Sequence, residues 1–321
     1  MAAPRGFDVI HSVTLAAPLA SSSRSTLMVH DLAWREFPDA FPPRGRRWHE
    51  AALRRALDTA DLLIAPSEET ASALLSAGAD PKRVEVIEEG CDHLPSPDTS
   101  ATAHLLSRLG VRGPYLLSVG TLEPRKNLRR IVDAYAMARP RLPEPWPLVV
   151  VGPRGWGDEA EPAEPVAGVV LAGSVDDGVL SGLYAGARCL VYVPLAEGFG
   201  LPAVEAMAAG VPVVASPIPS SQGAALEVDP LRTASVAEGV IRAATDEATR
   251  SELVSAGLAR AAGLTWEVAA RRHVDLWGEL GERPRGVARH PAAARKAQDR
   301  RQGLPVGAAL PVSAGLSVSA G

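Results

Sequence analysis

Two adjacent cations, Arg125 and Lys126, follow an apolar run with the pattern of a buried strand, Tyr115–Val119, and precede a segment of helical spacing. Positive charge at the start of a helix is disfavoured by the helix dipole, so stability alone does not explain the pair. A bound anion would remove the conflict, because helix N-termini and basic side chains both favour phosphate. Gly120 would let the backbone approach such a ligand closely. The segment therefore predicts a phosphate site, with a solvated basic turn as the alternative.

Two carboxylates, Glu197 and Glu205, flank a turn that contains Gly198 and Gly200 and follows another apolar run. Carboxylates are good acceptors for paired sugar hydroxyls, and glycine backbone supplies N–H donors. The loop and the following helix can bring both carboxylates to one crevice. The alternative is a surface acid at Glu197 and a first-turn acid at Glu205, favoured only by the helix dipole. The two glycines around Phe199 favour a binding role.

Short apolar runs alternate with helical segments along most of the chain. The apolar runs are Asp8–His11, Thr26–His30, Leu62–Ala65, Arg83–Ile87, Tyr115–Val119, Leu148–Val151, Val169–Leu171, Leu190–Val193 and Val211–Ala215. The helical segments are 45–59, 68–78, 101–109, 127–138, 177–186 and 202–209. This alternation predicts an α/β architecture of parallel sheets with right-handed crossovers. Ligands in such folds bind beyond the carboxyl ends of the strands, where both motifs fall.

The composition limits the possible functions. The chain is 46% hydrophobic and can form cores, and its net charge of −4 does not indicate a nucleic-acid partner. Cys91 and Cys189 lack the spacing of a disulfide framework or a zinc site, which fits a reducing cytosol. Residues 1–10 hold no apolar run of signal-peptide length, and no stretch approaches the ~20 apolar residues of a membrane span. We expect a cytoplasmic protein without a metal site.

One basic helix bears on the expected location of the protein in the cytoplasm. Its arginines are Arg44, Arg46, Arg47, Arg54 and Arg55. A solvated helix face is the favoured interpretation, and peripheral contact with anionic lipid on the inner face of the membrane is the alternative.

Together the two motifs resemble glycosyltransferase family 4, the group 1 glycosyltransferases. The residues that carry the resemblance are Gly120, Glu123–Asn127, Ala172–Gly173, Leu183–Ala187 and Glu197–Glu205. The last segment is similar to the E-x7-E element of the family, and the likeness extends over residues 7–281, most strongly over 114–230. It implies a GT-B fold, in which two Rossmann-like, doubly wound parallel sheets face each other.

The resemblance implies a role for each residue of the site. Arg125 and Lys126 would clamp the donor diphosphate, Glu205 would bind the ribose, and Glu197 would hold the transferred sugar. His30 would reach the donor sugar from the opposite domain. The implied catalytic residues are Arg125, Lys126, Glu197 and His30. The implied donor-binding residues are Gly120, Gly173, Val175, Gly198, Phe199, Gly200, Leu201 and Glu205.

The resemblance also implies the reaction. A hexose, and mannose in particular, would pass with retention of configuration from a UDP- or GDP-sugar to a glycan, a lipid-linked acceptor or a small molecule. The nucleotide-sugar is a co-substrate, and no other cofactor and no metal is expected. Two alternatives remain at this stage. One is an inactive remnant that binds nucleotide-sugar, and the other is a different GT-B enzyme, such as a phosphorylase or a nucleotide-sugar epimerase.

Four regions follow from the comparison with the family pattern. They are an N-terminal acceptor-side domain over 1–98, a donor-binding domain over 111–265, a crossover helix over 266–281 and a disordered tail over 282–321. The N-terminal domain is short relative to the family, so we expect an incomplete, truncated sheet there. The segment Pro217–Gly223 is also shortened, which bears on how the donor fits.

Overall fold

The strands form two parallel sheets in the computed structural model, which describes residues 6–16, 23–144, 146–157 and 165–282. The first sheet has four described strands in the order β1-β2-β3-β4. These strands are Val9–Ser12, Arg24–Met28, Leu62–Ala65 and Val84–Val86. The second sheet has six described strands in the order β10-β9-β8-β5-β6-β7. Strands β5 to β10 are Leu116–Val119, Leu148–Val151, Val169–Gly173, Cys189–Tyr192, Val213–Ala215 and Leu226–Glu227.

Ten α-helices connect the strands within the described residues. Helices α1 to α5 are Ala33–Glu36, Pro43–Thr59, Glu68–Ser76, Thr99–Arg108 and Leu128–Ala138. Helices α6 to α10 are Asp177–Gly186, Leu201–Ala208, Thr233–Thr245, Glu247–Ala262 and Trp266–Glu282. Every predicted apolar run overlaps a strand, and every predicted helical segment overlaps a helix. Strand β10 and helices α1, α8 and α9 lie outside the predicted segments. The predicted tail also lies outside the described residues, apart from Glu282 at the end of α10.

The second sheet is covered on both faces, as a Rossmann-like sheet must be when its strands are continuously apolar. One face packs against α5 and α8 through Ile131, Tyr135 and Val240. The other face packs against α6 and α7 through Leu183 and Met207. Because every strand of this sheet is parallel, the carboxyl ends of all six strands point to the same edge, and the predicted site residues follow those ends.

Helix α10 follows the second half of the chain but packs on the first sheet. Leu276 and Leu280 are buried in one apolar cluster with Met28 and Ile64 of that sheet. The Trp277 indole donates a hydrogen bond of 3.2 Å to the hydroxyl of Thr26 in β2. The end of the described chain therefore packs against its beginning. Both sheets belong to one compact unit.

Ion pairs and hydrogen bonds also join the two halves of the molecule. The Arg260 guanidinium on α9 lies 2.5 Å from the carboxylate of Glu88, just after β4. The same guanidinium donates a 2.9 Å hydrogen bond to the carbonyl of Ser220. On the other side of the molecule, the Trp156 indole donates a 3.1 Å hydrogen bond to the carbonyl of Ala40. The loops at the carboxyl ends of the two sheets are therefore held against each other.

Candidate active site

The two predicted phosphate-binding cations lie in a 3₁₀ turn, Pro124–Lys126, between β5 and α5. Asn127 follows with φ of 61°, in the left-handed region, and α5 begins only at Leu128. The predicted helical segment 127–138 therefore begins one residue early, and the two cations lie in the turn immediately before the helix. The Asn127 amide supports this unusual conformation by donating to the carbonyls of Val193 at 3.0 Å and Pro230 at 2.9 Å.

Both cations are paired with a predicted sugar-binding acid. Arg125 Nη1 lies 2.8 Å from Glu197 Oε1, and Lys126 Nζ lies 2.5 Å from Glu197 Oε2. Arg125 also pairs with Glu123 at 2.8 Å. The Tyr192 hydroxyl accepts from Lys126 Nζ at 3.0 Å and donates to Glu197. The charge conflict that the sequence posed is thus resolved by a carboxylate on the neighbouring loop.

The electrostatics of this cluster favour the charged forms of Glu197 and Arg125. Burial alone would raise the pKa of Glu197, but the charges of Lys126 and Arg125 outweigh it and hold that pKa below its ordinary value. Burial likewise disfavours the charged Arg125, and Glu197 and other nearby acids still raise its pKa. Two cations and two carboxylates therefore form a compact, nearly neutral group at the carboxyl end of the second sheet.

Glu205, the second predicted acid, lies in different surroundings. It is 8% exposed on α7, and the Tyr184 hydroxyl donates to its Oε2 at 2.7 Å. Nε2 of His93 lies 3.3 Å from its Oε1. Burial raises the pKa of Glu205, the contacts from Tyr184 and His93 oppose that rise, and Asp177 adds to it. Ionisation of Glu205 therefore lowers the stability of the fold, and such perturbed acids are common at functional sites.

His30 follows strand β2 of the first sheet, and its backbone lies against the glycine turn of the other half of the molecule. Its ring nitrogens contact Glu89 Oε1 at 3.2 Å and the Val13 carbonyl at 3.0 Å. The hydrogen bond to Glu89 raises the pKa of His30, and burial opposes it. The backbone carbonyl of His30 packs directly on Gly198, and the Thr70 hydroxyl is 3.4 Å from the carbonyl oxygens of both. The two halves of the molecule thus meet at two predicted site residues.

The remaining residues that were predicted to bind the sugar donor differ in how exposed they are to solvent. Gly173 is exposed at the end of β7 with φ of +71°. Gly120 ends β5 beside the aliphatic part of Lys126. Phe199 is 3% exposed, and Val175 and Leu201 pack against the same apolar cluster. Because the Phe199 side chain is buried in that cluster, it packs beneath the glycine turn, and only its backbone could contact a ligand. Gly200, with φ of +106°, closes this turn at the start of α7.

Sequence reasoning missed several side chains that complete these clusters. They are Glu89, His93, Glu123, Tyr184 and Tyr192. Tyr184 and Glu123 lie inside segments that carry the family resemblance, and Tyr192 ends the apolar run before Glu197, so a signal was present for these three. His93 and Glu89 reach the site from the first half of the chain, and no pattern near the motifs indicates them.

Two further findings concern only the residues that the structure describes. No three His, Cys, Asp or Glu side chains there are grouped as a metal site. No helix in those ranges is long and apolar enough to cross a membrane.

Comparison with known proteins defines the class to which this fold and site belong. Residues 107–258 match the family Glycosyl transferases group 1, and residues 1–93 match Glycosyltransferase Family 4. The chain is 32% identical over 267 residues to O-antigen chain mannosyltransferase B of Escherichia coli, covering 79% of this chain and 70% of that protein. It is 29% identical over 307 residues to D-inositol 3-phosphate glycosyltransferase of Kribbella flavida, covering 84% and 70%.

Solved structures have the same fold. Anabaena Alr3699/HepE, in complex with UDP and glucose, superposes with a TM-score of 0.65 at 20% identity, over 84% of this chain and 78% of that one. Sucrose-phosphate synthase from Thermosynechococcus elongatus superposes with a TM-score of 0.66 at 22% identity, over 85% and 74%. The chain belongs to the group 1 glycosyltransferases of glycosyltransferase family 4, and it is a GT-B enzyme. The resemblance inferred from the sequence is confirmed.

Replacing Glu205 by glutamine is expected to stabilise the fold at neutral pH. The pKa of Glu205 is raised, so this acid contributes stability below its unfolded-state pKa, and that contribution is lost as pH rises through its folded-state pKa. Glutamine removes this penalty, and we expect a Tm about 1–3 °C higher at neutral pH, with the difference vanishing at acidic pH. Thermal unfolding of both proteins across the pH range measures it. A lower Tm for Glu205→Gln at neutral pH would contradict the prediction.

Proposed function

We propose that this glycosyltransferase transfers a hexose, with mannose as the first candidate, from a UDP- or GDP-sugar to a glycan or lipid-linked acceptor, with retention of configuration. The observation that carries the proposal is the cluster of Arg125, Lys126 and Glu197. A pair of cations and a sugar-binding acid in direct contact is the arrangement that a sugar diphosphate requires, since its negative charge and its hydroxyls are only a few bonds apart.

In the proposed reaction, the bond between the sugar's anomeric carbon and the diphosphate oxygen breaks, and a bond to the acceptor hydroxyl oxygen forms on the same face. The acceptor proton passes to the departing phosphate oxygen. Arg125 and Lys126 would stabilise the charge that develops on the diphosphate, which is the largest expected contribution of the protein. Glu197 and the backbone N–H groups of Gly198–Gly200 would orient the sugar, and Glu205 would bind the ribose.

Different observations support the identity of the sugar and the presence of a nucleotide in the proposed donor. Mannose is favoured because relatives of this chain include O-antigen chain mannosyltransferase B. A nucleotide donor is supported by the solved complexes of HepE with UDP and with UDP-glucose, although at this identity they bear directly on the fold alone. The proposed reaction uses no metal and no cofactor other than the donor, because the cationic pair can carry the charge of the leaving group.

The test measures donor binding and product stereochemistry. We expect UDP-glucose or GDP-mannose, at about 100 times its dissociation constant, to stabilise the protein by about 2.7 kcal/mol in thermal unfolding. Incubation with a mannoside acceptor and the donor that binds should yield an α-linked product from the α-linked donor, as seen by NMR of the anomeric proton. A β-linked product would contradict retention. No stabilisation by UDP, GDP or either sugar nucleotide would contradict the donor site and favour an inactive remnant.

A further inference from the structure

The carboxylate of Glu205 is held by a side chain from the linker that joins the two sheets. His93, between β4 and α4, has its Nε2 3.3 Å from Oε1 of Glu205. The Tyr184 hydroxyl donates to the other oxygen, Oε2, at 2.7 Å. Each carboxylate oxygen therefore has one close protein contact, and the two contacts come from different parts of the chain.

A third residue determines which nitrogen of His93 carries the proton. The Trp266 indole Nε1 lies 3.2 Å from His93 Nδ1, and an indole nitrogen can only donate. Nδ1 of His93 therefore accepts this hydrogen bond, and whenever the ring is neutral its proton lies on Nε2, which faces Glu205. The two rings meet edge-on, with centroids 6.2 Å apart and planes at 75°. His93 is thus oriented with the Nε2 edge of its ring towards the Glu205 carboxylate.

Trp266 itself is anchored to the linker. It begins the crossover helix α10, and its backbone N–H donates to Asp92 Oδ1 at 2.7 Å. Gly90 packs so tightly on the backbone of Thr265 and Trp266 that a Cβ there would overlap it. The residues that connect the two halves of the molecule therefore reach the acid in the donor-binding half.

This arrangement leaves Glu205 free to bind more than its protein partners. A carboxylate accepts about four hydrogen bonds; Tyr184 uses one of these positions, and His93 lies beside a second. The remaining two match the two adjacent hydroxyls of a ribose. His93 and Tyr184 would then fix the rotation of the carboxylate without competing with the ligand.

We propose that His93 is a positioning residue for Glu205, and that Trp266 selects the tautomer in which His93 performs this role. The inference rests on the proposed function, in which Glu205 binds the ribose of the donor. It assigns a part of the nucleotide site to the linker and the crossover helix, outside both sequence motifs.

The expected effect is on binding and not on the chemical step. Ribose contacts are made equally in the ground state and the transition state, so their loss raises KM and leaves kcat nearly unchanged. We expect His93→Ala to weaken UDP or GDP binding about tenfold, which corresponds to about 1.4 kcal/mol. His93→Gln retains an N–H donor and should recover part of the loss. Trp266→Phe keeps the packing, removes the indole donor, and should weaken binding about threefold. His104→Ala, an exposed histidine on α4, is the matched control.

The pH dependence of binding separates positioning from a purely structural role. The ionisable groups that face Glu205 are Tyr184, His93, Asp177 and Cys91. Burial raises the pKa of Glu205 and His93 opposes the rise, so removal of His93 should raise it further. Ribose binding needs the carboxylate and is lost as pH falls through that pKa. The acidic limit of nucleotide binding should therefore move to higher pH in His93→Ala.

The experiment is isothermal titration of UDP and GDP into the full chain and the His93→Ala, His93→Gln, Trp266→Phe, His104→Ala and Lys126→Ala variants between pH 5 and 8. Weaker binding by His93→Ala with a shifted acidic limit, and partial recovery in His93→Gln, would support the proposal. Unchanged affinity and pH profile in His93→Ala, together with lost binding in Lys126→Ala, would overturn the role of His93 and leave the donor site standing. Should His93→Ala not fold, unchanged binding by both His93→Gln and Trp266→Phe would overturn it equally. If the wild-type protein binds neither nucleotide, the proposed function fails and the role of His93 fails with it.

Discussion

Replacing Lys126 by alanine is expected to lower kcat/KM for sugar transfer about a thousandfold while leaving the fold intact. Preorganised groups that stabilise developing charge contribute on the order of 10²–10³ in rate when one is removed, and Lys126 adds a full charge to that role. Its side chain is 17% exposed, so little water is present to screen the interaction with the leaving diphosphate. The loss should fall on both kcat and kcat/KM, because the charge grows only as the bond to the sugar breaks.

The fold should survive this substitution for a structural reason. Glu197 loses one partner in Lys126→Ala but keeps Arg125 at 2.8 Å, so no carboxylate is left buried without a counter-ion. Lys82→Ala is the matched control, since Lys82 is exposed on the first half of the chain and should change neither activity nor Tm. Initial-rate kinetics at saturating acceptor, together with thermal unfolding, measure both quantities. Near-wild-type kcat/KM in Lys126→Ala would remove Lys126 from the catalytic site.

Replacing Gly198 by alanine is expected to reduce both activity and stability. A Cβ at this position would overlap the carbonyl oxygen of His30 and lie 2.7 Å from the carbonyl carbon and 3.1 Å from the Cβ of Asp31. Backbone atoms cannot move aside as the end of a flexible side chain can. Either the turn that holds Glu197 shifts or the two halves of the molecule separate. Overpacking of this kind costs about 1–3 kcal/mol, and we expect kcat/KM to fall about a hundredfold, because displacement of about 1 Å disrupts a catalytic geometry.

A second glycine provides the control for Gly198→Ala. Gly45 lies in α2, and no atom lies within 4 Å of the position that its Cβ would take. Alanine there should raise stability by about 0.5–1 kcal/mol, because helix interiors favour alanine over glycine. Enzyme kinetics and thermal unfolding of both variants measure these expected changes in activity and stability. If Gly198→Ala retained wild-type kinetics and Tm, the contact between His30 and the glycine turn would not be part of the active enzyme.

The Lys126 prediction depends on a property of the charge cluster, which is its near neutrality before a donor binds. Arg125 and Lys126 are paired with Glu197 and Glu123, so the diphosphate of the proposed donor would enter a cluster whose charges are already paired. The cations can bind the diphosphate only by sharing it with Glu197 or by releasing that carboxylate towards the sugar. In the proposed function, the same movement that frees the cations turns Glu197 to the sugar hydroxyls, so donor binding and sugar orientation would be coupled.

Much of the architecture could be inferred from the chain alone. Short, continuous apolar runs rich in β-branched residues, such as Leu148–Val151, are typical of strands covered on both faces, and here the run and the strand coincide to the residue. The glycines and charges at 120–126 and 197–205 stood at strand ends, where parallel topology brings ligands, so their proximity was predictable. Helices α8 and α9 were not predicted; the buried residues of α9 include Thr249, Gly257 and Ala261, whose side chains give little contrast between the two faces of that helix.

The pairing of the charges was decided only by the tertiary structure. Position along the chain shows that Arg125, Lys126 and Glu197 share one edge of a sheet, but a 2.8 Å ion pair depends on loop conformations such as the left-handed Asn127, which a local pattern does not determine. The two equivalent-looking acids of the E-x7-E element differ for the same reason: Glu197 has a lowered pKa beside two cations, and Glu205 a raised one in a buried site. His93 reaches Glu205 across more than a hundred residues of chain, and only folding brings them together, because burial and packing act between residues that the sequence keeps far apart.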